Sequence, residues 1–489
     1  MDDRIRNLHA LSKLTTPDEA ALLIKDGMTV GTSGFTMAGY PKAVPLALAR
    51  RAEAGEDIKI TLITGASVGD ELDGALARAG VIGRRYPYQT NDAIRERINL
   101  GDIAYVDMHL SQVPFYIKQG YFGKIDVAIV EAVAIDEMGN IIPSTSLGCS
   151  NVLMEYADKV IVEINTTQSM GLAGYHDVYS PKPIPHTEPI SITKTGDRIG
   201  TPYISCPSDK LAAVVYCDIP DGTRPIPPID DGSRKMAGHL LNFLKSEMAA
   251  GRLPDPLPPL QSGVGAVANA VLSGFIESDF NHLSLYSEVL QDSVLDLIDA
   301  GKVDFASGTA LTLSPDKLLL FYKNIEQYRS KIVLRPQEIS NSPEVVRRLG
   351  AIAVNTALEA DLSGNINSTH LNGTYIMNGL GGSGDFTRNA LISIFTTLST
   401  AKNGTLSCIV PTVSHVDHTE HDVDILITER GIADLRGLTA YERAEKIIKN
   451  CAHPGFKDDL QAYIHYAHAC STGLHGIAPM LSTVLQKRA

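Results

Sequence analysis

Four stretches of the chain crowd glycine, asparagine and serine beside predicted strands, the place where an α/β protein puts its ligands. They are residues 261–271 (QSGVGAVANAV), 286–293 (YSEVLQDS), 363–386 (SGNINSTHLNGTYIMNGLGGSGDF) and 427–437 (ITERGIADLRG). Glycines let backbone N–H groups approach a ligand oxygen closely. Glu288 falls just after a strand, where a carboxylate is ordinarily only solvated; two glycine-rich loops available to serve it single it out.

Three further patterns invite chemistry. Residues 379–384 read GLGGSG, a literal GxGxxG. They lack a clear βαβ unit and an acidic residue about twenty positions on, so a glycine-rich turn is the favoured reading. An NAD-dependent oxidoreductase remains the alternative of another class. Residues 65–69, GASVG, match GxSxG after a strand, but neither an immediate helix nor a downstream Asp…His pair supports a nucleophilic serine. Ser67 reads better as a substrate contact. His415, His418 and His421 recur every third residue among acidic neighbours, without the HExxH spacing of a zinc protease. These histidines read as structural or as supports behind a site, and no metal site is expected.

The elements that must position these residues alternate strand with helix. Thr16, Pro17 and Glu19 form a capping box that opens a helix closed by Gly27. Apolar runs at 58–63, 103–106, 127–130, 160–164 and 211–215 read as buried strands of a mainly parallel sheet. Residues 218–233 hold four prolines and read as a linker. A helix is predicted over 234–248, then a second Pro-rich stretch at 252–263. A second α/β series follows at 283–286, 332–334, 352–354, 406–410 and 425–427, with helices near 440–450 and 456–469. The division expected is an N-terminal α/β domain over 1–217, a linker with its helix over 218–262, and a C-terminal α/β domain over 263–489. Two halves of similar size hint at a duplicated fold, without a sequence repeat.

The chain has 489 residues, 44% apolar and 20% charged, the composition of a folded protein of about two or three domains. Lys+Arg number 43 against 56 Asp+Glu, a net charge of −13 that argues against nucleic acid or an anionic membrane as partner. No apolar run approaches the roughly 18 residues of a membrane span. The start lacks a secretory core, and six scattered cysteines without zinc-type spacing read as reduced thiols. A cytoplasmic enzyme is expected.

Several strings together resemble one family, the class I coenzyme A-transferases, in the branch of succinyl-CoA:acetate CoA-transferases and acetyl-CoA hydrolases. They are GTSGFTMAGYPKAVP (31–45), LITGAS (62–67), LPPLQSGVGAVANAV (257–271), YSEVLQDS (286–293), LRPQEISNSPEVVRRLG (334–350), GNINSTHLNGTYIMNGLGGSGDF (364–386), VSHVDHTEHDVDILITERGIADLRGL (413–438) and NCAHP (450–454). The resemblance covers nearly the whole chain in order. It implies an α/β fold of two CoA-transferase-type domains, each with a mainly parallel sheet, an active site in the interdomain cleft, and a homodimer.

By the same resemblance Glu288 is the nucleophile, and the backbone of Val264 and Gly382 forms an oxyanion hole. CoA contacts fall on Gly263, Val264, Gly265, Ala266, Val267, Leu358, Asn378, Gly382 and Lys402. Asn341, at the strand end of EISN, and Glu429 match active-site positions. Ser67 and Arg224 fall to the carboxylate substrate. Acyl-CoA and a carboxylate are then the small-molecule partners, with no tightly bound cofactor. An ordinary glutamate is ionised at pH 7 and needs no general base. Displacing a thiolate of pKa about 8.5 with it is uphill by about four units, roughly 5–6 kcal/mol. Oxyanion donors at roughly 3 kcal/mol each, and grip on the distant CoA nucleotide, must offset that. Transfer is favoured over acetyl-CoA hydrolysis, the nearest alternative, because it conserves the thioester.

Overall fold

The computed structural model describes residues 3–223, 228–263 and 265–470. Arg224 and Val264 lie outside the described residues.

Two large sheets carry the molecule. The first is built from β1 (Thr29–Thr32), β2 (Ile60–Ile63), β3 (Ile82–Tyr86), β4 (Ala104–Tyr105), β5 (Ile125–Ile135), β6 (Ile141–Pro143), β7 (Ala157–Asn165) and β8 (Leu211–Cys217). Its order is β4-β3-β2-β1-β5-β7-β8, with β6 paired off β5. Every pairing is parallel except β5 with β6. A strand such as β5 is buried on both faces, which is why its sequence is nearly unbroken in apolar residues rather than alternating.

The second sheet is built from β9 (Leu260–Ser262), β10 (Leu283–Tyr286), β11 (Val303–Gly308), β12 (Ile332–Leu334), β13 (Ile352–Thr356), β14 (Ile392–Thr396), β15 (Ile425–Thr428) and β16 (Gly431–Asp434). Its order is β12-β11-β10-β9-β13-β14-β15-β16, again parallel except for the last pair. Both sheets run backward through their first four strands and then reverse, so the two halves share a winding. The reversal lies between β1 and β5 in one sheet and between β9 and β13 in the other. Crevices at the carboxyl ends of such reversals are where ligands bind.

The second sheet begins at Leu260, inside the stretch expected to be linker, because LQS is the central strand onto which β10 and β13 are laid. The linker helix runs from Asp231 to Ala249, its first turn capped by Asp230, and buries Met236, Leu240, Phe243 and Leu244 in the second core. The run at 406–410 is not one strand but two short pieces, Leu406–Ser407 and Ile409–Val410. The opening helix has its capping box but ends at Ala21, with turns rather than helix leading to Gly27.

Asp221 fastens the chain leaving the first sheet. It accepts from Lys42 Nζ at 3.0 Å, Gly39 N–H at 3.1 Å and Gln168 Nε2 at 3.0 Å. Lys42 is fully buried and also pairs with Glu131 at 2.5 Å. Replacing Lys42 by methionine strands two buried carboxylates, and should cost about 3–5 kcal/mol in denaturant unfolding. A loss below about 1 kcal/mol would show that these acids are neutral without the lysine.

Candidate active site

The carboxyl ends of both sheets converge on one cavity of about 170 Å³. The first half contributes Phe35 and Thr36 after β1, Ala66 after β2, Tyr88 after β3 and Leu110 after β4. The second contributes Ser262 and Gly263 from β9, Glu288 after β10, Asn355 and Thr356 at the end of β13, and the loop from Asn378 to Ser383. The cavity therefore sits at the reversal points of both windings.

Glu288 stands on a fixed piece of backbone. Its carbonyl accepts the N–H groups of Thr309 at 2.7 Å and Ala310 at 3.1 Å, and Ser287 N–H donates to Ser307 at 3.0 Å. The first half clamps the same loop from the other side, Leu147 N–H donating to Thr309 at 2.9 Å and Leu311 N–H to Thr145 at 2.8 Å. At the tip, Asn341 Nδ2 donates to Glu288 Oε1 at 2.6 Å. Asn341 ends the short helix Gln337–Ser340 rather than a strand; the strand of that segment stops at Leu334. Tyr286 ties the two together by donating its hydroxyl to Ile339 O at 2.5 Å.

Burial pushes the Glu288 carboxyl up to about 7, with the Asn341 bond opposing and the nearby charge of Asp385 adding to the rise. The expectation of an ordinary, fully ionised glutamate is thereby corrected. Gly382 abuts this carboxyl so closely that a Cβ there would overlap both Glu288 and the Asn341 amide. No side chain fits at that position, and the backbone of the loop is left facing the carboxylate.

The GLGGSG segment is a loop leading into a short helix, Ser383–Thr387, and no strand of either large sheet feeds it. The first half holds it. Tyr105 donates its hydroxyl to Asn378 O at 2.7 Å, Leu380 N–H donates to Asp107 at 2.9 Å, and Ser111 N–H donates to Asp385 at 3.0 Å. Burial raises Asp107 and Asp385 to about 7 as well. The histidine cluster lies behind this loop. His418 is buried, its Nε2 is 3.0 Å from the Ser383 hydroxyl, and burial pushes it down to about 4. His415 lies against the His370 ring at 3.9 Å, while His421 is exposed on a single helical turn. Among the described residues no group of His, Cys, Asp and Glu could hold a metal.

Other expected residues are placed as follows. Gly263, Asn378 and Gly382 line the cavity. Gly265, at φ 111°, precedes the helix Ala266–Glu277, which Val267 helps pack on the core. Leu358 is half-buried off the cavity wall, its N–H bonded to Asn367 O at 2.9 Å. Lys402 is exposed at the tip of the hairpin Thr400–Ala401/Leu406–Ser407. Ser67 is buried, and its neighbour Ala66 forms the wall instead. Glu429 sits in the turn between β15 and β16. Burial works against its charge, but the Ser399 hydroxyl and N–H outweigh it and hold the carboxyl below the usual range. Asp385, Ser111, Asp107, Tyr88 and Phe35 were not singled out from sequence: each owes its place to a contact between the halves, which leaves no local pattern.

Residues 1–215 match the Acetyl-CoA hydrolase/transferase N-terminal domain and residues 319–464 its C-terminal domain. The succinyl-CoA:acetate CoA-transferase of Clostridium kluyveri is 53% identical over 96% of this chain and 88% of its own. The acetyl-CoA hydrolase of Schizosaccharomyces pombe is 44% identical over 96% of this chain and 92% of its own. In fold, the 4-hydroxybutyrate CoA-transferase of Porphyromonas gingivalis superposes with a TM-score of 0.64 at 23% identity, over 93% of this chain and 98% of that one. Among the described residues no strand of either large sheet leads into GLGGSG, so the segment lacks the βαβ setting that the oxidoreductase alternative requires. With both halves matched in order and a relative 53% identical along nearly the whole length, the chain belongs to the acetyl-CoA hydrolase/transferase family, whose members act on acyl-CoA.

Proposed function

We propose that the protein moves CoA from a short-chain acyl-CoA to a carboxylate, with succinyl-CoA and acetate, or a related acetate, succinate or propionate pair, as substrates. The carrying observation is Glu288 held by Asn341 and abutted by Gly382 at the meeting of two sheets. A Glu288 oxygen attacks the thioester carbonyl, the C–S bond breaks, and CoA thiolate leaves an acyl–glutamyl anhydride. The thiolate then attacks the Glu288 carboxyl carbon, and the acid departs with the bridging oxygen. A second carboxylate reverses these steps on the glutamyl-CoA thioester.

The raised pKa changes the energetics. With Glu288 near 7, the gap to a thiol of about 8.5 shrinks to about 1.5 units, roughly 2 kcal/mol instead of 5–6. One oxyanion donor, lowering the tetrahedral species by roughly 3 kcal/mol, then outweighs that gap in the barrier of the first step. The cost is partial protonation at neutral pH. Because attack needs the ionised form and the folded value is raised, kcat/KM should climb with pH along a limb centred near 7, not near the ordinary carboxylate value. Asp385 titrates in the same range, so the limb belongs to the pair. A profile already flat at about pH 5 and above would remove the burial argument.

In this reading Val264 and Gly382 N–H groups serve the oxyanion. Gly263 to Val267, Leu358, Asn378, Gly382 and Lys402 hold CoA, Ser67 and Arg224 serve the second carboxylate, and Asn341 and Glu429 complete the active-site set around Glu288. The places of Gly263, Asn378 and Gly382 in the cavity wall support their share. The domain division at 1–217, 218–262 and 263–489, moved to begin the second unit at Leu260, accompanies it. A homodimer in the cytoplasm, with no tightly bound cofactor, completes the proposal. Cys149, Cys206, Cys217, Cys408 and Cys451 are free thiols, and among the described residues no helix is long and apolar enough to cross a membrane. The test is borohydride or hydroxylamine trapping after acyl-CoA alone: an adduct on Glu288 is expected, and an active preparation with Glu288 unmodified overturns the assignment. A panel of acetyl-, propionyl- and succinyl-CoA against acetate, succinate or water then separates transfer from hydrolysis.

A further inference from the structure

Asp385 is a buried carboxylate that the steps above do not use. It lies outside the cavity wall, on the helix Ser383–Thr387, and accepts the second hydrogen bond of Asn341 Nδ2, at 3.1 Å. Its own oxygens are held from the other half of the protein, by Ser111 N–H at 3.0 Å and the Ser111 hydroxyl at 2.5 Å. An amide nitrogen has two hydrogens, and ionised carboxylates only accept. With Glu288 and Asp385 both facing Nδ2, each hydrogen has one taker, and the amide is held in one of its two orientations. When both acids are ionised, as attack by Glu288 requires of it, the opposite orientation would set Oδ1 against two carboxylates. In the orientation observed, Oδ1 is buried and meets no protein donor, so the amide's two protein contacts are both made by Nδ2.

We propose that Asp385 is a positioning residue for the nucleophile: gripped by Ser111, it fixes the Asn341 amide so that Nδ2 always faces Glu288 Oε1. This rests on the reading of Glu288 as nucleophile. Its use follows from the covalent steps. When thiolate attacks the Glu288 carboxyl carbon, Oε1 becomes the oxyanion of the tetrahedral species, and Asn341 Nδ2 is the donor already in place. Asp385 and Ser111 thereby make that donor depend on the two halves being closed on each other.

Other groups face this pair. His109 Nδ1 is 3.9 Å from Asp385 Oδ1, Arg388 and His418 stand near His109, and Asp107 holds the loop before Asp385 through Leu380. Asp385→Asn keeps shape and an acceptor for Ser111, but its new amide can donate to Asn341 Oδ1 and so allows the flipped orientation. It also removes a negative charge beside Glu288.

The experiment compares wild type, Asp385→Asn and Ser111→Ala in steady state, across pH, and in the rate of Glu288 thioester formation. For Asp385→Asn a fall in kcat of about 30-fold is expected, with KM for acyl-CoA changed less than about threefold and the acid limb of kcat/KM moved to lower pH. Ser111→Ala should lower kcat about threefold to tenfold with KM unchanged, and it carries the test should Asp385→Asn not fold. Unchanged kcat in either folded variant overturns the proposal, as does a lower kcat in Asp385→Asn with the acid limb unmoved. If wild type itself forms no Glu288 adduct, the nucleophile assignment fails instead; an adduct formed at the same rate in wild type and variants sinks only the role of Asp385.

Discussion

Glu288→Ala is expected to bind CoA as wild type does and to lose CoA exchange by roughly 10⁴-fold or more, the effect of removing a covalent nucleophile rather than a helper. Apart from the Asn341 amide, which keeps its bond to Asp385, the loop that carries Glu288 is held by backbone rather than by this side chain. Its backbone partners are the N–H groups of Thr309 and Ala310, which bond the Glu288 carbonyl and survive truncation. Removing the side chain also removes a carboxyl that burial makes unwelcome as a charge, so folding should not suffer. Exchange between labelled acetate and acetyl-CoA, with CoA affinity by calorimetry, reads both halves of the expectation. Exchange within about tenfold of wild type would move the covalent chemistry elsewhere.

Gly382→Ala should be nearly as damaging, by roughly 10³-fold in kcat, although it adds one methyl group and removes nothing. That methyl would fall on the Glu288 carboxyl and the Asn341 amide. Either the carboxylate swings away or the loop from Gly379 to Ser383 retreats, and both separate the proposed nucleophile from the loop backbone it abuts. Gly381, at φ 64°, makes an instructive control. A Cβ there meets nothing closer than the Tyr88 ring at 3.5 Å, so Gly381→Ala should show mainly backbone strain of about 1 kcal/mol in stability. Equal loss of kcat in the two variants, at equal stability, would mean that the loop as a whole, and not the contact with Glu288, is what matters.

How much of this was legible beforehand differs by element. The buried strands Ile125–Ile135 and Ala157–Asn165 announce themselves by the apolar runs at 127–130 and 160–162. Strand Ile82–Tyr86 does not, because it contains Arg85, which is acceptable in a core only through its paired bonds to Asp73 at 2.9 Å. Strand Leu260–Ser262 is three residues long and has no period to detect, yet it is the central strand at the reversal of the second sheet. Among candidate site residues, Glu288, Asn341 and Gly382 could be named from motif strings, and they meet within hydrogen-bond or overlap distance. The raised pKa of Glu288 could not, since it comes from burial and from Asp385, nearly a hundred positions away.

The order of residue types along the chain thus suffices for the family and the two α/β halves, and it singles out Glu288, because each leaves a local mark: an apolar run, a proline-rich break, a glutamate in its motif. Only the closing of one half on the other decides that Ser111, Asp385 and Asn341 form a line ending on Glu288, and that burial pushes this carboxyl up to about 7. Desolvation and hydrogen-bond direction are properties of three-dimensional neighbourhoods, and residues brought together from positions 111, 288, 341 and 385 carry no shared pattern that a linear reading could detect.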